Sequence, residues 1–389
     1  MREAANIEEL RVRARRRLPR AIFDFIDGGA RDEVTLRRNR RAFEAVLFNA
    51  SMMIDASEVV QSTELFGTPM ASPVILGPTG LAGLSWPRGE IEVARAAQSA
   101  NAIYVAPLNS SCTLEEVAQA GSEHLWWQLY VSKNRERTES HIERAQSVGY
   151  RAMVLTIDVQ LASIRERDVF NGFTIPPRIT ARNAIDVLRR ARWLRSVLLG
   201  PRITLANHVD PAGGPSDLLS LAQLTAKEID SSLTWEQLRW FRERWTGPLI
   251  LKGIMNQEDA RRAVDHGADG IVVSNHGGRQ LDGMPASIEV LPSIADAVGS
   301  QIEVLLDSGV RRGSDVVKAL ALGAKAVMVG RPYLYGLAAH GGAGVGRALG
   351  IFRDEVAETL GLLGAPDIAQ LSRDAIYPPG ANVQDAIRT

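Results

Sequence analysis

His276 and Arg279 stand three residues apart in Ser274-Asn275-His276-Gly277-Gly278-Arg279-Gln280-Leu281-Asp282, directly after the apolar run Gly270-Ile271-Val272-Val273. A histidine changes charge near neutral pH and can move a proton. An arginine offers a planar fork of donors that matches a carboxylate. The two glycines between them let backbone and ligand approach closely. The run before them reads as a buried strand, so the pair sits at a strand's exit.

Other ionisable groups end similar runs. Asp158 follows Met153-Val154-Leu155-Thr156-Ile157. Within reach of His276, its carboxylate fixes the ring tautomer and stabilises the imidazolium formed when a proton is taken; the plainer role is a helix N-cap. Lys252 follows Leu249-Ile250-Leu251. A lysine turned into such a site needs an anionic partner, which a cofactor ring that becomes negative on reduction supplies. Asp307-Ser308-Gly309-Val310-Arg311-Arg312-Gly313 and Gly330-Arg331-Pro332 combine glycines with guanidinium groups. That is the expected phosphate cradle of a barrel enzyme, after its seventh and eighth strands. The ligand is therefore phosphorylated: flavin mononucleotide or a phosphosugar. No GxGxxG turn follows a strand, so a nicotinamide dinucleotide site is not supported.

Eight apolar runs must position these groups: 73–79, 103–106, 125–130, 153–158, 249–252, 271–274, 304–307 and 326–330. Amphipathic stretches such as Gln257–Val264 and Ser314–Leu320 lie between them. Near-continuous apolar strands alternating with helices predict a parallel sheet covered by helices, and eight such units predict a (β/α)8 barrel. Thr79, Gln128, Tyr130, Thr156, Asp158, Lys252, Ser274, His276 and Asp307 then fall on the C-terminal rim, where barrel active sites lie. Residues 1–70 read as a helical cap, with Leu18-Pro19 opening a helix and Gly28-Gly29 closing it. Residues 160–230 form an insertion on the active-site face, all within a single barrel domain spanning 1–389. Of the other histidines, His141 and His266 fall in or at the ends of predicted surface helices, His124 before the third strand, His208 in the insertion and His340 after the last strand.

The 389 residues are 45% hydrophobic and 23% charged, an ordinary globular composition. Lys plus Arg and Asp plus Glu each number 45, so no global field steers the chain to nucleic acid, and no reading motif is present. A lone Cys112 excludes a disulfide or a multi-cysteine zinc site and reads as a small core residue. Without an apolar leader or a run long enough to span a bilayer, a cytoplasmic location is expected.

The chain resembles the FMN-dependent L-2-hydroxy-acid oxidases and dehydrogenases, the family of glycolate oxidase, lactate oxidase and mandelate dehydrogenase. The resemblance rests most on Ser274–Asp282. Gly77-Pro78-Thr79, Gln128-Leu129-Tyr130, Leu155-Thr156-Ile157-Asp158, Arg165-Glu166-Arg167-Asp168, Leu251-Lys252-Gly253 and Arg311-Arg312-Gly313-Ser314-Asp315 support it. It implies that His276 is the base, paired with Asp158, and that this holds whether the α-hydrogen leaves as hydride or as proton. Arg279 and Arg165 would bind the substrate carboxylate, and Tyr130 would contact the substrate. Lys252 would lie beside the flavin. Pro78, Thr79, Gly80, Gln128, Thr156 and Ser274 would hold its ring and chain; Asp307, Ser308, Gly309, Arg311, Gly330 and Arg331 its ribityl phosphate.

The chain departs from the family pattern in two places. Phe23-Asp24-Phe25 replaces a Tyr-Asp-Tyr setting, so Phe25 gives no hydroxyl to the substrate and suits a larger or aromatic acid. Pro107 stands where a small hydroxyl residue usually meets the flavin, and Asn109 aligns with a bulky aromatic. Residues 182–202 carry Arg182, Arg189, Arg190, Arg192, Arg195 and Arg202 against Asp186, with Leu188, Trp193, Leu194, Val197, Leu198 and Leu199. A basic, Trp- and Leu-bearing helix reads as a peripheral contact with the inner membrane face, or as a helix packed on its own barrel or a neighbouring subunit. Asp307-Ser308-Gly309 and an insertion of this length resemble the membrane-associated mandelate and lactate dehydrogenases, which implies a mandelate- or lactate-like acid and a quinone or other carrier as electron acceptor; the family resemblance implies a homotetramer. An oxidase passing electrons to oxygen, a flavin-free phosphosugar barrel and a non-catalytic flavoprotein are the alternatives.

Overall fold

The computed structural model describes residues 3–121, 124–173, 180–209, 213 and 216–377, without the side chains of residues 181, 182 and 226. Eight parallel strands close into a barrel: β1 (Val74–Leu76), β2 (Tyr104–Pro107), β3 (Leu125–Leu129), β4 (Met153–Thr156), β5 (Leu249–Ile254), β6 (Gly270–Val273), β7 (Glu303–Leu306) and β8 (Ala326–Val329). β8 pairs back onto β1, with Val327 opposite Val74. The (β/α)8 expectation holds.

Strand side chains alternate between faces. Ile75, Val105, Trp126, Val154, Ile250, Val272, Leu305 and Met328 point inward, each at most 2% exposed, and pack as one cluster. Burying each such side chain contributes about 1.5–3 kcal/mol. Two residues farther along the same faces come Gly77, Pro107, Gln128, Thr156, Lys252, Ser274, Asp307 and Gly330. The barrel interior thus changes from apolar to polar in one step of the pleat. A hairpin of Thr63–Leu65 and Thr68–Met70 closes the opposite end; Leu65 and Met70 join the cluster, and the Phe66 ring lies 5.8 Å from Trp126.

Three helices, Ile7–Arg17, Arg20–Asp27 and Val34–Ala45, precede the barrel. Pro19 caps the second and Gly28 ends it, as Leu18-Pro19 and Gly28-Gly29 predict. Asp282 accepts the Val34 and Thr35 amides at 3.2 and 2.8 Å, tying the start of the third to the His276 loop.

The chain between β4 and β5 differs from expectation in two ways. Residues 182–202 form two helices, Ala181–Arg189 and Ala191–Leu199, meeting at Arg190, where a single helix was expected. Trp193 is buried, donating its Nε1–H to the Leu84 carbonyl at 2.8 Å, and Val187, Leu194 and Val197 pack inward beside it. Ile185, Leu188, Leu198 and Leu199 face outward with Arg189, Arg192, Arg195 and Arg202. The Arg182 side chain lies outside the described residues. Among the described residues no helix is long and apolar enough to cross a membrane.

His141 is the second difference: it is buried, not on a surface helix face, because the turn Ala206–His208 folds over its helix, Arg135–Ser147. The His141 and His208 rings meet edge to face at 5.5 Å. Burial lowers His141 to about 4 and His208 to about 3. Both stay neutral in the folded chain at pH values where the unfolded chain, titrating near 6.5, takes up protons. Stability is therefore complete above about pH 6.5. Below it each histidine removes about 1.4 kcal/mol per pH unit until its folded value is reached. A double variant, His141→Gln with His208→Gln, is expected to flatten the fall in melting temperature between pH 7 and 5.

Cys112 is the small core residue expected, its thiol pushed up to about 12 by burial.

Candidate active site

A cavity of about 390 Å³ opens at the C-terminal end of the barrel. Phe25, Pro78, Thr79, Gly80, Gln128, Tyr130, Arg165, Lys252, His276, Arg279, Asp307, Ser308, Gly309, Arg311, Gly330 and Arg331 all line it. A larger cavity of about 540 Å³, beside the N-terminal end of β1, lies between the helices Gly89–Ser99 and Gly342–Leu363 and holds none of these groups. Asp158 and Ser274 bond to lining residues, Asp158 to His276 and Ser274 to Lys252, and Thr156 lies opposite Lys252 where β4 pairs with β5.

The loop after β6 uses nearly every side chain it carries. Ser274 accepts from Lys252 Nζ at 2.8 Å and from the His276 amide at 3.1 Å. Asn275 and Asn39 exchange amide hydrogen bonds at 2.8 Å each way. Gln280 donates to the Asp158 carbonyl at 2.9 Å. This frame holds His276 at φ 58°, a left-handed conformation that non-glycine residues adopt only under constraint. Its Nδ1 lies 3.0 Å from Asp158 Oδ1. With Nδ1–H donated to the carboxylate, Nε2 is left as the free base. Burial alone raises the Asp158 carboxyl, but the His276 and Lys252 charges bring it below the ordinary value, so it stays ionised.

Gly253 makes that approach possible. β5 does not stop at Lys252 but runs to Ile254 through a register shift, and Gly253 sits at φ 119°. A Cβ there falls 2.7 Å from the Asp158 Cβ. Gly253→Ala is expected to displace the carboxylate from Nδ1 and lower turnover about 10²-fold without unfolding the chain; steady-state rates and melting temperature check this. Sequence reasoning quoted Gly253 in a motif but gave it no role; only the positive φ and the contact reveal one.

Lys252 pairs with Asp307 at 2.8 Å, and Ser308 Oγ donates to the other Asp307 oxygen at 2.7 Å. Burial lowers the lysine, but the Asp307 and Asp158 carboxylates outweigh it, and the ammonium is held above its usual value. Ser308, also left-handed at φ 74°, accepts the Gly277 amide at 2.9 Å. Tyr130 is pushed up to about 12, by burial first and then by Asp158, so its hydroxyl keeps its proton.

Arg279 and Arg165 lie over the two-ring cluster of Phe25 and Phe173, each guanidinium carbon 5.3 Å from the Phe25 centroid. Phe25 thus replaces a hydroxyl with a π face that aligns both cations. Arg279 also donates to the Phe25 carbonyl at 2.7 Å, and Arg165 to Asp168 at 2.7 Å. Burial and the charges of Arg165 and Arg331 push Arg279 well below its ordinary value, the signature of a positive field awaiting an anion. Arg331 lines the cavity as expected, and its three nitrogens also donate to the carbonyls of Ile26, Gly277 and Gly28 at 3.0, 2.9 and 2.8 Å, so it fastens the helix Arg20–Asp27 to the His276 loop with two of its five N–H groups left over. Arg311 lines the cavity with one nitrogen on the Val310 carbonyl, and the helix Arg331–His340 begins at Gly330 with no side-chain cap. Among the described residues no group of His, Cys, Asp or Glu is placed to hold a metal.

A cavity with a held histidine, two guanidinium groups over one aromatic ring and an uncapped helix start on a (β/α)8 rim fits a class: a barrel oxidoreductase for an anionic substrate and a phosphorylated cofactor. The chain belongs to the FMN-dependent dehydrogenase family, which it matches over residues 14–378. It is 43% identical over 369 residues to an L-lactate dehydrogenase of Xanthomonas oryzae pv. oryzae, covering 95% of each chain. Among solved structures it matches the monotopic membrane protein (S)-mandelate dehydrogenase at TM-score 0.93 and 39% identity, covering 97% of this chain and 100% of that one. A mandelate oxidase determined with (S)-4-hydroxymandelic acid matches at TM-score 0.83 and 38% identity, over 96% and 98%. The chain is accordingly an FMN-dependent 2-hydroxy-acid dehydrogenase.

The residues present fit FMN. Gln128 Nε2 and Thr156 Oγ1 are buried without partners at the top of the barrel, and a flavin ring presents acceptors and donors to such groups. Lys252, Arg311, the Gly309 turn at φ 103° and the uncapped helix start supply positive charge and open backbone.

Proposed function

We propose that this enzyme oxidises a large or aromatic L-2-hydroxy acid to its 2-oxo acid, with His276 as base. The observation carrying this reading is the Phe25 ring set against both Arg165 and Arg279 beside His276. The two guanidinium groups clasp the substrate carboxylate by charge-assisted hydrogen bonds. Tyr130, protonated, steadies the substrate oxygen. His276 Nε2 receives the proton released from the substrate, and Asp158, ionised and 3.0 Å from Nδ1, stabilises the imidazolium that results. Gln128, Thr156, Ser274, Lys252, Asp307, Ser308, Gly309, Arg311 and Arg331 hold the cofactor, with Pro78, Thr79, Gly80 and Gly330 forming its walls. When bound, FMN supplies the two-electron acceptor.

Electrons then pass to a quinone or another carrier at the inner membrane face. The support is the outward face of residues 182–202, where Ile185, Leu188, Leu198 and Leu199 stand beside four exposed arginines. The enzyme is expected to sediment with anionic vesicles at low salt and to be released as salt rises. A homotetramer completes this reading, tested by sedimentation velocity.

Anaerobic mixing with a panel of 2-hydroxy acids tests the reaction: an aromatic acid is expected to bleach the visible flavin band fastest. Bleaching by none favours a non-catalytic flavoprotein. Fast reoxidation of the reduced enzyme by oxygen overturns the carrier reading in favour of an oxidase.

A further inference from the structure

One wall of the cavity serves neither cofactor nor carboxylate. It is built by Asn109, after β2, and by Leu205, Ala222, Thr225 and Ile229 from the insertion. Apart from Asn109 and Thr225 these side chains are apolar. Thr225 donates its hydroxyl to the Leu221 carbonyl at 2.7 Å. Asn109 Oδ1 lies 2.9 Å from His208 Nε2, and its Nδ2 has no hydrogen-bond partner among the described residues.

His208 decides which way that amide faces. Its Nδ1 is buried and unpartnered. Orphaned buried N–H groups are rarer than orphaned lone pairs, so the proton sits on Nε2 and is donated to Asn109 Oδ1. The ring stays neutral, because burial and the neighbouring His141, Arg137 and Arg144 disfavour a second proton. The backbone around it is fixed as well. Ala206 donates to the Ser110 carbonyl at 2.9 Å, and Asn207 bridges the Leu108 carbonyl at 3.0 Å and the Leu114 amide at 2.9 Å. His141 donates to the Asn207 carbonyl at 3.0 Å.

We propose that His208 is a positioning residue that locks Asn109 with its Nδ2 donors turned into the substrate cavity, so that the enzyme selects 2-hydroxy acids whose side chain carries a hydrogen-bond acceptor. This rests on the 2-hydroxy-acid reading above and refines it. The favoured side chain is aromatic with a ring hydroxyl: the body lies against Leu205 and Ile229, and the oxygen accepts from Asn109.

The FMN-containing enzyme is tested with two acids of nearly equal size, 4-hydroxymandelate and 4-methylmandelate, and with their 3-substituted counterparts. The expected kcat/KM ratio favours the hydroxyl acid about tenfold in one of the two series, expressed mainly in KM. Asn109→Leu and His208→Leu are each expected to bring the ratio to about one, whereas His208→Gln, which still offers an N–H, restores most of it. Flavin content and melting temperature report folding in each variant. If both acids reduce the flavin at equal kcat/KM in both series, or if His208→Leu keeps the full ratio, the selection proposal is overturned and the 2-hydroxy-acid reading stands. If no acid reduces the flavin, both fall together.

Discussion

His276→Ala is expected to keep FMN bound and to lower its anaerobic reduction by a 2-hydroxy acid about 10²–10⁴-fold, the range over which a positioned base contributes. The imidazole holds no backbone group of the cofactor wall: its partner is Asp158 at 3.0 Å, and the loop around it is carried by Asn275, Gln280 and Asp282. The visible spectrum should therefore be preserved while stopped-flow reduction slows. Asp158→Asn provides the companion result. It keeps the shape but offers no negative charge to the imidazolium, so reduction slows while substrate affinity changes little. Near-normal reduction in His276→Ala removes this histidine as the base.

Arg279→Met is expected to lower kcat/KM for a 2-hydroxy acid about 10²–10⁴-fold, because truncating one side of a buried charge pair costs about 3–5 kcal/mol. The loss should fall mainly on KM. The same substitution should matter far less for the methyl ester of the acid, which has no carboxylate for a guanidinium to clasp. Arg279→Lys should recover little. A lysine keeps the charge, but it has neither the fork nor the flat face that lies against Phe25 while reaching the Phe25 carbonyl at 2.7 Å. If the ester and the acid suffer alike, Arg279 acts on the helix Arg20–Asp27 and not on the carboxylate.

The barrel was legible in the chain because its strands are short apolar runs whose period of two carries straight into the polar rim. Val154 and Thr156, or Val272 and Ser274, are one pleat apart, so recognising the strand also aims the residue that ends it. Tertiary pairing was not legible. The register shift that puts Gly253 against Asp158 depends on where β5 meets β6. Arg331 reads as a phosphate ligand beside Gly330, and the text gave no sign that it also bonds three backbone carbonyls from distant segments. His141 lies on a largely polar helix but shares its buried stripe with Thr138, Ile142 and Ala145, and residues 206–208, far along the chain, cover it. The missing hydroxyl at Phe25 was plain in the text; the two cations over its ring were not.

His276 and Ser308, which hold the base and the Lys252–Asp307 pair in register, both sit in left-handed backbone. Such conformations cost about 1–3 kcal/mol apiece and persist only where the surroundings impose them. Glycine at either position would relax that tension and toughen the fold while stripping out the group that does the work. Durability and turnover therefore pull in opposite directions at these two residues, and variants selected only for heat resistance will drift toward a sturdier, idle barrel.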